Sequence, residues 1–204
     1  KDIIHLPHVP GHEFAGIVVD VGEEVCNVRK GERVTVPFVC ACGECQQCVI
    51  GNQHICDHQF QPGFTHWGSF AEFVAIARAD INLVPLPREI EFVSAASLGC
   101  RFTTSFRAIV YQAGVIPEQW VTVHGCGGVG LSAIMIASAL GARVIAVDIA
   151  KEKLQLALSV GAHSTVDGSD HRNVVDSIQE ISDGGPHVSI DALGSRVTCQ
   201  NSIS

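Results

Sequence analysis

Four cysteines crowd one short loop of this sequence and limit what the chain around them can fold into. Two residues separate the first thiol from the second and the second from the third, and the fourth follows after a wider gap. A two-residue gap lets both sulfurs of a pair face one ion, and four thiolates complete the tetrahedral shell of a structural zinc. The loop therefore predicts a zinc lobe over residues 40–57, and its ligands are Cys42, Cys45, Cys48 and Cys56.

The same four thiols allow other interpretations. Disulfides or free buried thiols would need no metal, and His54 or His58 would be able to replace one thiol as a ligand. Disulfides form in oxidising compartments, whereas this sequence of nine cysteines shows no secretory segment. We therefore expect a cytoplasmic protein with reduced thiols, in which metal binding is favoured over cross-linking.

Net charge and hydropathy exclude two classes of partner. The formal net charge is −8 and no local basic cluster reverses it, so the surface repels nucleic acid and anionic lipid. The longest apolar run, Leu131 to Leu140, is about half the length of a bilayer span. With 47% hydrophobic residues, the chain is expected to be a packed globular protein that binds neither nucleic acid nor membrane.

The second half of the sequence alternates between strand-like and helix-like segments. This alternation predicts a parallel sheet with helices on its faces. The predicted strands are Trp120–His124, Arg143–Val147, Ser164–Val166 and Val188–Asp191. The predicted helices run from a glycine-rich turn to Leu140, from Lys151 to Val160 and from about Arg172 to Ile181.

The glycine-rich turn joins the first of these strands to its helix. Gly125, Gly127 and Gly130 have the Gly-x-Gly-x-x-Gly spacing, and an acidic residue, Asp148, ends the next strand. In this context the turn predicts a dinucleotide site, because glycines permit a tight turn, close approach of a pyrophosphate and close helix packing. Asp148 is expected to hydrogen-bond the adenosine ribose and to repel a 2′-phosphate, which favours NAD over NADP. The alternative is a solvated carboxylate at a strand end.

The first half of the sequence has a different residue pattern. Short β-rich segments with glycine and proline punctuation predict a small β domain. Helical patterns follow from Ser94 to Cys100 and from Thr103 to Ala113. Cys100 is expected at the break between these helices, so we divide the chain into domains 1–101 and 102–204. The β-rich segments are Phe14–Gly22, Arg33–Val39 and Phe70–Ala77.

Two further motifs stand on either side of the thiol loop. Gly11-His12-Glu13 precedes it, and Gly99-Cys100-Arg101-Phe102-Thr103-Thr104 follows it. Their order around the thiol loop, and before the glycine-rich turn, resembles the zinc-dependent alcohol dehydrogenases of the medium-chain dehydrogenase/reductase family. The resemblance covers essentially the whole chain. It implies an α/β protein in which a GroES-like barrel, the catalytic domain, precedes a Rossmann nucleotide-binding domain with a doubly wound parallel sheet.

The resemblance also implies roles for individual residues. In the family, the histidine and the cysteine of these motifs bind the catalytic zinc, so His12 and Cys100 are the implied ligands. Glu13 is expected beside the metal, with an ordinary salt bridge as its alternative. Lys153 is the implied second contact to the ribose. The remaining implied contacts to the cofactor are Thr104 and Val129 at the nicotinamide ring, and Gly125, Gly127, Gly128 and Gly130 in the glycine-rich turn.

The implied reaction is the reversible oxidation of a primary or secondary alcohol to an aldehyde or ketone, with hydride transfer to NAD. Zinc would act as the Lewis acid, and Phe38 is a candidate wall of the alcohol pocket. The family is usually dimeric or tetrameric. Its members carry a further cysteine ligand upstream of the Gly-His-Glu motif, whereas no residue before His12 is a cysteine here. We therefore expect a longer polypeptide cut at both ends, whose catalytic site is incomplete.

Other functions compete with this one. A related zinc enzyme would act on polyols or on a hydroxymethyl thiol adduct. A non-catalytic protein would use the zinc as a staple and bind NAD without reaction. A zinc-ribbon nucleic-acid binder would explain the thiols, but neither the glycine-rich turn nor the negative charge.

Overall fold

The computed structural model describes residues 6–170 and 173–204. The chain divides into two units, of which the first ends at Cys100 and the second is Arg101–Ser204. Within the described residues, the first unit holds a three-stranded sheet and the second a four-stranded sheet. A small β-rich unit followed by a parallel α/β unit confirms the predicted fold class.

The first unit is built on a short antiparallel sheet. The elements are β1 (Ala15–Ile17), β2 (Arg33–Thr35), α1 (Gln46–Val49), a 3-10 turn (Gln53–Ile55), α2 (Ala79–Asn82), β3 (Val84–Pro85), α3 (Phe92–Ala96) and a π-helical segment (Leu98–Phe102). The strands pair in sequence order, with β2 in the middle. Val18, Val28 and Val34 form a buried cluster beside this sheet.

Three predictions for this unit are wrong in extent or in kind. β1 and β2 are shorter than the predicted segments because only three residues of each find a partner across the strand pair. The alternating segment 70–77 is not a strand; Phe70 and Phe73 are exposed, and no described strand pairs with it. Cys100 lies inside the π-helical segment rather than at a break between helices. Alternation is a local signal, whereas a strand also needs a hydrogen-bonded neighbour.

The second unit is a parallel sheet with helices on its faces. The elements are α4 (Thr103–Phe106), a π-helical segment (Arg107–Gln112), β4 (Trp120–His124), α5 (Gly128–Ala139), β5 (Arg143–Asp148), α6 (Lys151–Ser159), β6 (Ser164–Asp167), α7 (Val174–Ser182), β7 (Val188–Asp191) and α8 (Arg196–Ile203). The strand order is β6-β5-β4-β7, and all three neighbouring pairs are parallel. The order reverses between β4 and β7, and ligands bind such sheets at the carboxyl ends of the strands beside this point.

Helices cover both faces of this sheet, which explains the apolar runs in its strands. On one face Val123 packs in a buried cluster with Ala133 of α5. On the other face Ile145 packs with Val174 and Ile178 of α7. Parallel strands that are buried on both faces are typically near-continuous hydrophobic runs. Helix α5 is apolar for the same reason, and no helix in the described part of the chain is long and apolar enough to cross a membrane.

The predicted elements of this unit agree closely with the structure. Each of the four predicted strands is present within one residue at either end. The helix that was expected from about residue 172 begins at Val174, and Arg172 lies outside the described residues. Helix α8 is an addition to the predicted set. It begins with a capping box in which the Thr198 N–H donates to Ser195 Oγ at 3.1 Å.

Candidate functional site

The four thiols of the predicted zinc lobe converge on one point. Their ligand atoms all lie within 4.8 Å of one another. Cys45 Sγ lies 3.4 Å from Cys48 Sγ and 3.8 Å from Cys56 Sγ, and Cys42 Sγ lies 3.9 Å from Cys48 Sγ. A tetrahedral zinc with Zn–S bonds of about 2.3 Å places its sulfurs about 3.8 Å apart. The thiols are free rather than cross-linked, and their spacing fits a zinc ion.

Backbone N–H groups donate hydrogen bonds to several of these sulfurs. Cys42 Sγ accepts from the Cys45 N–H at 3.3 Å, and Cys56 Sγ accepts from the Cys42 and His58 N–H groups at 3.3 Å. A hydrogen bond from the Cys48 backbone lowers the pKa of Cys45 to about 6, while burial raises the pKa of Cys48 to about 12. A metal must therefore displace protons from part of the cluster. Among the described residues, the group contains neither His54 nor His58 as a ligand.

A second group of potential ligands joins residues that are far apart in the sequence. One ring nitrogen of His12, one carboxylate oxygen of Glu13 and the thiol of Cys100 all lie within 4.8 Å of one another. All three residues are partly buried. Nitrogen, oxygen and sulfur donors in one group are the set that zinc accepts in catalytic sites. The residues that resembled a catalytic zinc site in the sequence are therefore neighbours in the structure and fit the ion.

The backbone before Cys100 lies against the segment that follows β2. The Phe38 N–H donates to Gly99 O at 2.8 Å. A Cβ added at Gly99 would lie only 2.3 Å from Val36 O, a distance that no ordinary side chain tolerates. A glycine is therefore needed immediately before Cys100, because the thiol is brought to His12 by close contact of two backbones.

Two aromatic rings flank His12. The Phe38 ring centroid lies 5.1 Å from that of His12, and the Phe64 centroid lies 5.2 Å from it. Phe38 and Phe64 also contact each other edge to face at 5.4 Å. Sequence reasoning identified Phe38 as a candidate pocket wall but missed Phe64. Phe64 belongs to no motif, and only the tertiary fold brings it to His12.

The glycine-rich turn is fastened to the end of β5 by Asp148. Asp148 Oδ2 accepts the Cys126 N–H at 2.7 Å, and Oδ1 accepts the Ala150 N–H at 3.0 Å. Lys153 Nζ lies 3.8 Å from Asp148 Oδ2. The sequence predicted a carboxylate at this strand end, but it did not predict that the carboxylate would also hold the turn. Asp148 is largely buried, so its charge acts in a poorly screened environment.

The glycines of this turn meet different surroundings. A Cβ on Gly130 would lie 1.8 Å from Gly125 O, so this position requires close packing of helix on turn. A Cβ on Gly127 would meet nothing within 4 Å, and one on Gly128 would strike the side chain of Arg101. The free space over Gly127, at the amino terminus of α5, fits a phosphate group that approaches the backbone closely.

Two of the predicted nicotinamide contacts lie near the start of α5. Ser105 Oγ donates to Val129 O at 2.7 Å and thereby joins α4 to α5. Thr104 precedes Ser105 and is exposed on α4. The structure thus brings Thr104 and Val129 to neighbouring parts of the second unit.

A cavity of about 310 Å³ opens beside Asp148 and Lys153. Its apolar lining includes Ile149 and Leu193, which are both exposed to solvent. The fully buried His124 also lines it. Burial lowers the pKa of His124, and the charge of Asp191 opposes this effect. The cavity thus places exposed apolar side chains next to the carboxylate of Asp148.

Two family models match the chain. The alcohol dehydrogenase GroES-like domain matches residues 2–88, and the zinc-binding dehydrogenase domain matches residues 128–204. An alcohol dehydrogenase of Geobacillus stearothermophilus is 37% identical over 188 residues, which cover 91% of this chain and 53% of that protein. A probable S-(hydroxymethyl)glutathione dehydrogenase of Schizosaccharomyces pombe is 34% identical over 97% of this chain and 58% of its own length.

A solved alcohol dehydrogenase structure is also similar to this chain. The alcohol dehydrogenase of Thermus sp. ATN1 superposes with a TM-score of 0.91 at 30% identity, over 97% of this chain and 58% of that chain. This chain therefore spans about half the length of the relatives that it matches.

Proposed function

This chain belongs to the medium-chain zinc alcohol dehydrogenase family, and from that membership we propose that it oxidises a primary or secondary alcohol, reversibly, with NAD as hydride acceptor. The observation that carries the proposal is the convergence of His12, Glu13 and Cys100, whose ligand atoms lie within 4.8 Å of one another. A purely structural zinc protein is explained by the complete four-thiol lobe alone. The additional group of nitrogen, oxygen and sulfur donors is typical of a catalytic zinc site.

The two metal groups receive different roles. We assign Cys42, Cys45, Cys48 and Cys56 to a structural zinc, because four thiolates leave no coordination position open. We assign His12 and Cys100 to a catalytic zinc, with Glu13 next to them. A zinc ion bound there supplies Lewis acidity to the alcohol oxygen.

The protein surroundings of His12 favour a small organic substrate. Phe38 and Phe64 place two apolar ring surfaces against the imidazole. Apolar rings lower the local dielectric, so a charge beside them, such as that of Glu13, interacts more strongly with its neighbours. These rings thus orient the carbon chain of an alcohol and keep its oxygen near the ligand group.

The second unit supplies the cofactor site in this proposal. The amino terminus of α5 and the open space over Gly127 receive the pyrophosphate. Asp148 accepts hydrogen bonds from the adenosine ribose, with Lys153 beside it. Ile149 and Leu193 enclose the base in the neighbouring cavity. Thr104 and Val129 are assigned to the nicotinamide end.

A second substrate class is supported by one relative. The Schizosaccharomyces pombe protein, 34% identical to this chain, is a probable S-(hydroxymethyl)glutathione dehydrogenase. A hydroxymethyl thiol adduct is itself a primary alcohol, so the same zinc and NAD chemistry would oxidise it. The ratio of kcat/KM for S-(hydroxymethyl)glutathione to that for ethanol and propan-2-ol decides between the two classes.

Location and assembly belong to the same proposal. Reduced thiols are needed to bind zinc, and the cytoplasm keeps thiols reduced. We therefore place the protein in the cytoplasm. Family membership favours a homodimer or homotetramer, which sedimentation equilibrium of the purified protein would test.

Replacement of Cys100 by serine tests the proposed function. Loss of a zinc ligand removes several kcal/mol of Lewis-acid stabilisation, so we expect alcohol-dependent NAD reduction to fall about a thousandfold or more. NAD binding, measured by calorimetry, should persist because the nucleotide site lies in the other unit. Cys199→Ser is the matched control, since Cys199 is an exposed thiol outside both metal groups.

Three outcomes of this experiment are distinct. Near-normal turnover in Cys100→Ser contradicts the catalytic assignment. Wild-type protein that binds zinc and NAD but reduces no NAD with any alcohol or hydroxymethyl thiol is instead a non-catalytic scaffold. Wild-type protein that binds no NAD contradicts the cofactor site.

A further inference from the structure

His124 is buried completely, yet its imidazole ring has no polar partner. Across residues 6–170 and 173–204, neither Nδ1 nor Nε2 of His124 makes a hydrogen bond, and none of the residue is exposed. The main chain is satisfied, because the Ala192 N–H donates to His124 O at 2.9 Å. Buried polar side chains are almost always hydrogen-bonded, so a ring with two unused nitrogens indicates a missing partner.

The location of this ring suggests which partner that is. His124 ends β4, immediately before the glycine-rich turn, and lines the same cavity as Asp148 and Lys153. Two exposed apolar side chains, Ile149 and Leu193, line that cavity as well. The cavity is also lined by Ser195, Thr198 and Asn201. A base attached to a ribose at Asp148 would therefore enter a space with apolar and polar sides, in which His124 is the fully buried polar side chain that lacks a partner among the described residues.

We propose that His124 hydrogen-bonds the edge of the adenine base of the bound dinucleotide and is a specificity-determining residue of the cofactor site. The inference rests on the proposed function, since it assumes that NAD binds with its ribose at Asp148. Adenine presents an amino donor and ring-nitrogen acceptors along its edges. A neutral imidazole carries one donor and one acceptor and complements such an edge. In a mainly apolar pocket, a small number of polar groups fixes the orientation of a ligand.

Thr122 provides a matched control on the same strand. It lies two residues before His124, so both side chains point to the same face of the sheet. Thr122 Oγ1 is likewise buried without a hydrogen-bond partner among the described residues. Both residues line a second cavity on this face, but Thr122 does not line the cavity beside Asp148. A general need to satisfy buried polar groups would affect both residues, whereas base recognition affects only His124.

Binding constants of the purified protein test the proposal. We compare wild type, His124→Phe and Thr122→Val by calorimetry with NAD, AMP and nicotinamide mononucleotide. His124→Phe keeps a ring in place but removes both nitrogens, so NAD and AMP should bind about threefold to tenfold more weakly. Nicotinamide mononucleotide has no adenine and should bind unchanged. Thr122→Val should bind all three ligands as wild type does.

A spectroscopic measurement on wild type makes the test independent of any variant. In protein labelled with ¹⁵N at histidine, addition of AMP should shift a ring-nitrogen resonance of His124, because a new hydrogen bond forms there. Addition of ribose 5-phosphate, which lacks the base, should leave that resonance in place. This measurement decides the question alone if His124→Phe does not fold.

The outcomes separate this inference from the proposed function. If wild type binds neither NAD nor AMP, both are overturned. If wild type binds both ligands and His124→Phe binds them equally well, or AMP leaves the His124 resonance unmoved, only the His124 assignment is overturned. Weaker binding of adenine ligands in His124→Phe, with Thr122→Val unchanged, supports it.

Discussion

Asp148 has a structural contact in addition to the cofactor role that the sequence predicts for it. Its carboxylate accepts the Cys126 N–H at 2.7 Å, which holds the glycine-rich turn, and its charge faces the proposed ribose site. Only the second task follows from an acidic residue at a strand end. The first depends on the distance between β5 and the turn, which exists only after the strands have paired.

Substitution of Asp148 by asparagine separates the two tasks. The Asp148→Asn variant retains one oxygen acceptor, for the Cys126 N–H, but loses the negative charge and the second acceptor, which receives the Ala150 N–H. We expect the ratio of NADP to NAD affinity to rise at least about tenfold, because the repulsion of a 2′-phosphate is removed. Asp148→Gly should raise the same ratio and also lower the melting temperature. An unchanged ratio in both variants, measured by calorimetry, would remove Asp148 from cofactor selection.

The titration of His124 predicts a pH dependence of stability. Burial lowers its pKa in the folded state, so below the ordinary value of 6.5 the unfolded chain binds a proton that the folded chain refuses. The contribution of neutral His124 to the free energy of unfolding is then fully present above about pH 6.5. It falls as the pH decreases, by as much as about 2 kcal/mol at pH 5. His124→Phe should flatten this slope in urea titrations between pH 7 and pH 5. Thr122→Val should retain it, and an equal slope in wild type and His124→Phe would contradict this assignment.

The sequence predicts His12 and Cys100 as metal ligands because each stands in a short motif that resembles those of the family. It could not identify Phe64 or the orphaned imidazole of His124, for which no local pattern exists. Phe64 reaches His12 through the fold of the first unit. His124 becomes notable only because the sheet and its helices close around it without supplying a partner among the described residues.

At the scale of elements, the glycine-rich turn contains two glycines with opposite requirements. Gly130 packs against the backbone at Gly125, whereas Gly127 faces open space. Elements of the second unit were predicted well because buried parallel strands and glycine-ended helices leave strong local patterns. Segment 70–77 of the first unit was predicted wrongly because strand pairing there depends on neighbours that the pattern does not reveal.

The two glycines give a paired prediction. Gly130→Ala should destabilise the protein by about 3 kcal/mol, because its Cβ would lie 1.8 Å from a backbone oxygen. Gly127→Ala should leave the melting temperature nearly unchanged but weaken NAD binding about tenfold or more, because its Cβ would fill the phosphate space. Thermal unfolding and calorimetry on the two variants provide the comparison. Unchanged NAD binding in Gly127→Ala would show that the space over Gly127 does not receive a ligand phosphate.

At the scale of the whole molecule, the described residues contain two groups of potential metal ligands with different chemistry. The thiol lobe has sulfur spacings that match a tetrahedral zinc, and the His12 group has the mixed donors of a catalytic site. Both groups lie in the first unit, while the proposed nucleotide site lies in the second. Loss of either zinc should therefore leave intact the sheet that is proposed to bind NAD.

Zinc per chain tests the assignment of two metal sites most directly. Elemental analysis after dialysis should find two zinc ions in wild type, because Glu13 joins His12 and Cys100 as a third potential ligand in place of the missing cysteine. It should find one in Cys100→Ser and one in a variant with Cys45 and Cys48 both replaced by alanine. Protons bound to the thiols compete with the metal, so the zinc content should also fall at acidic pH. Wild type with one zinc that Cys100→Ser retains would contradict the catalytic site, and wild type whose zinc content is unaffected by loss of Cys45 and Cys48 would contradict the structural one.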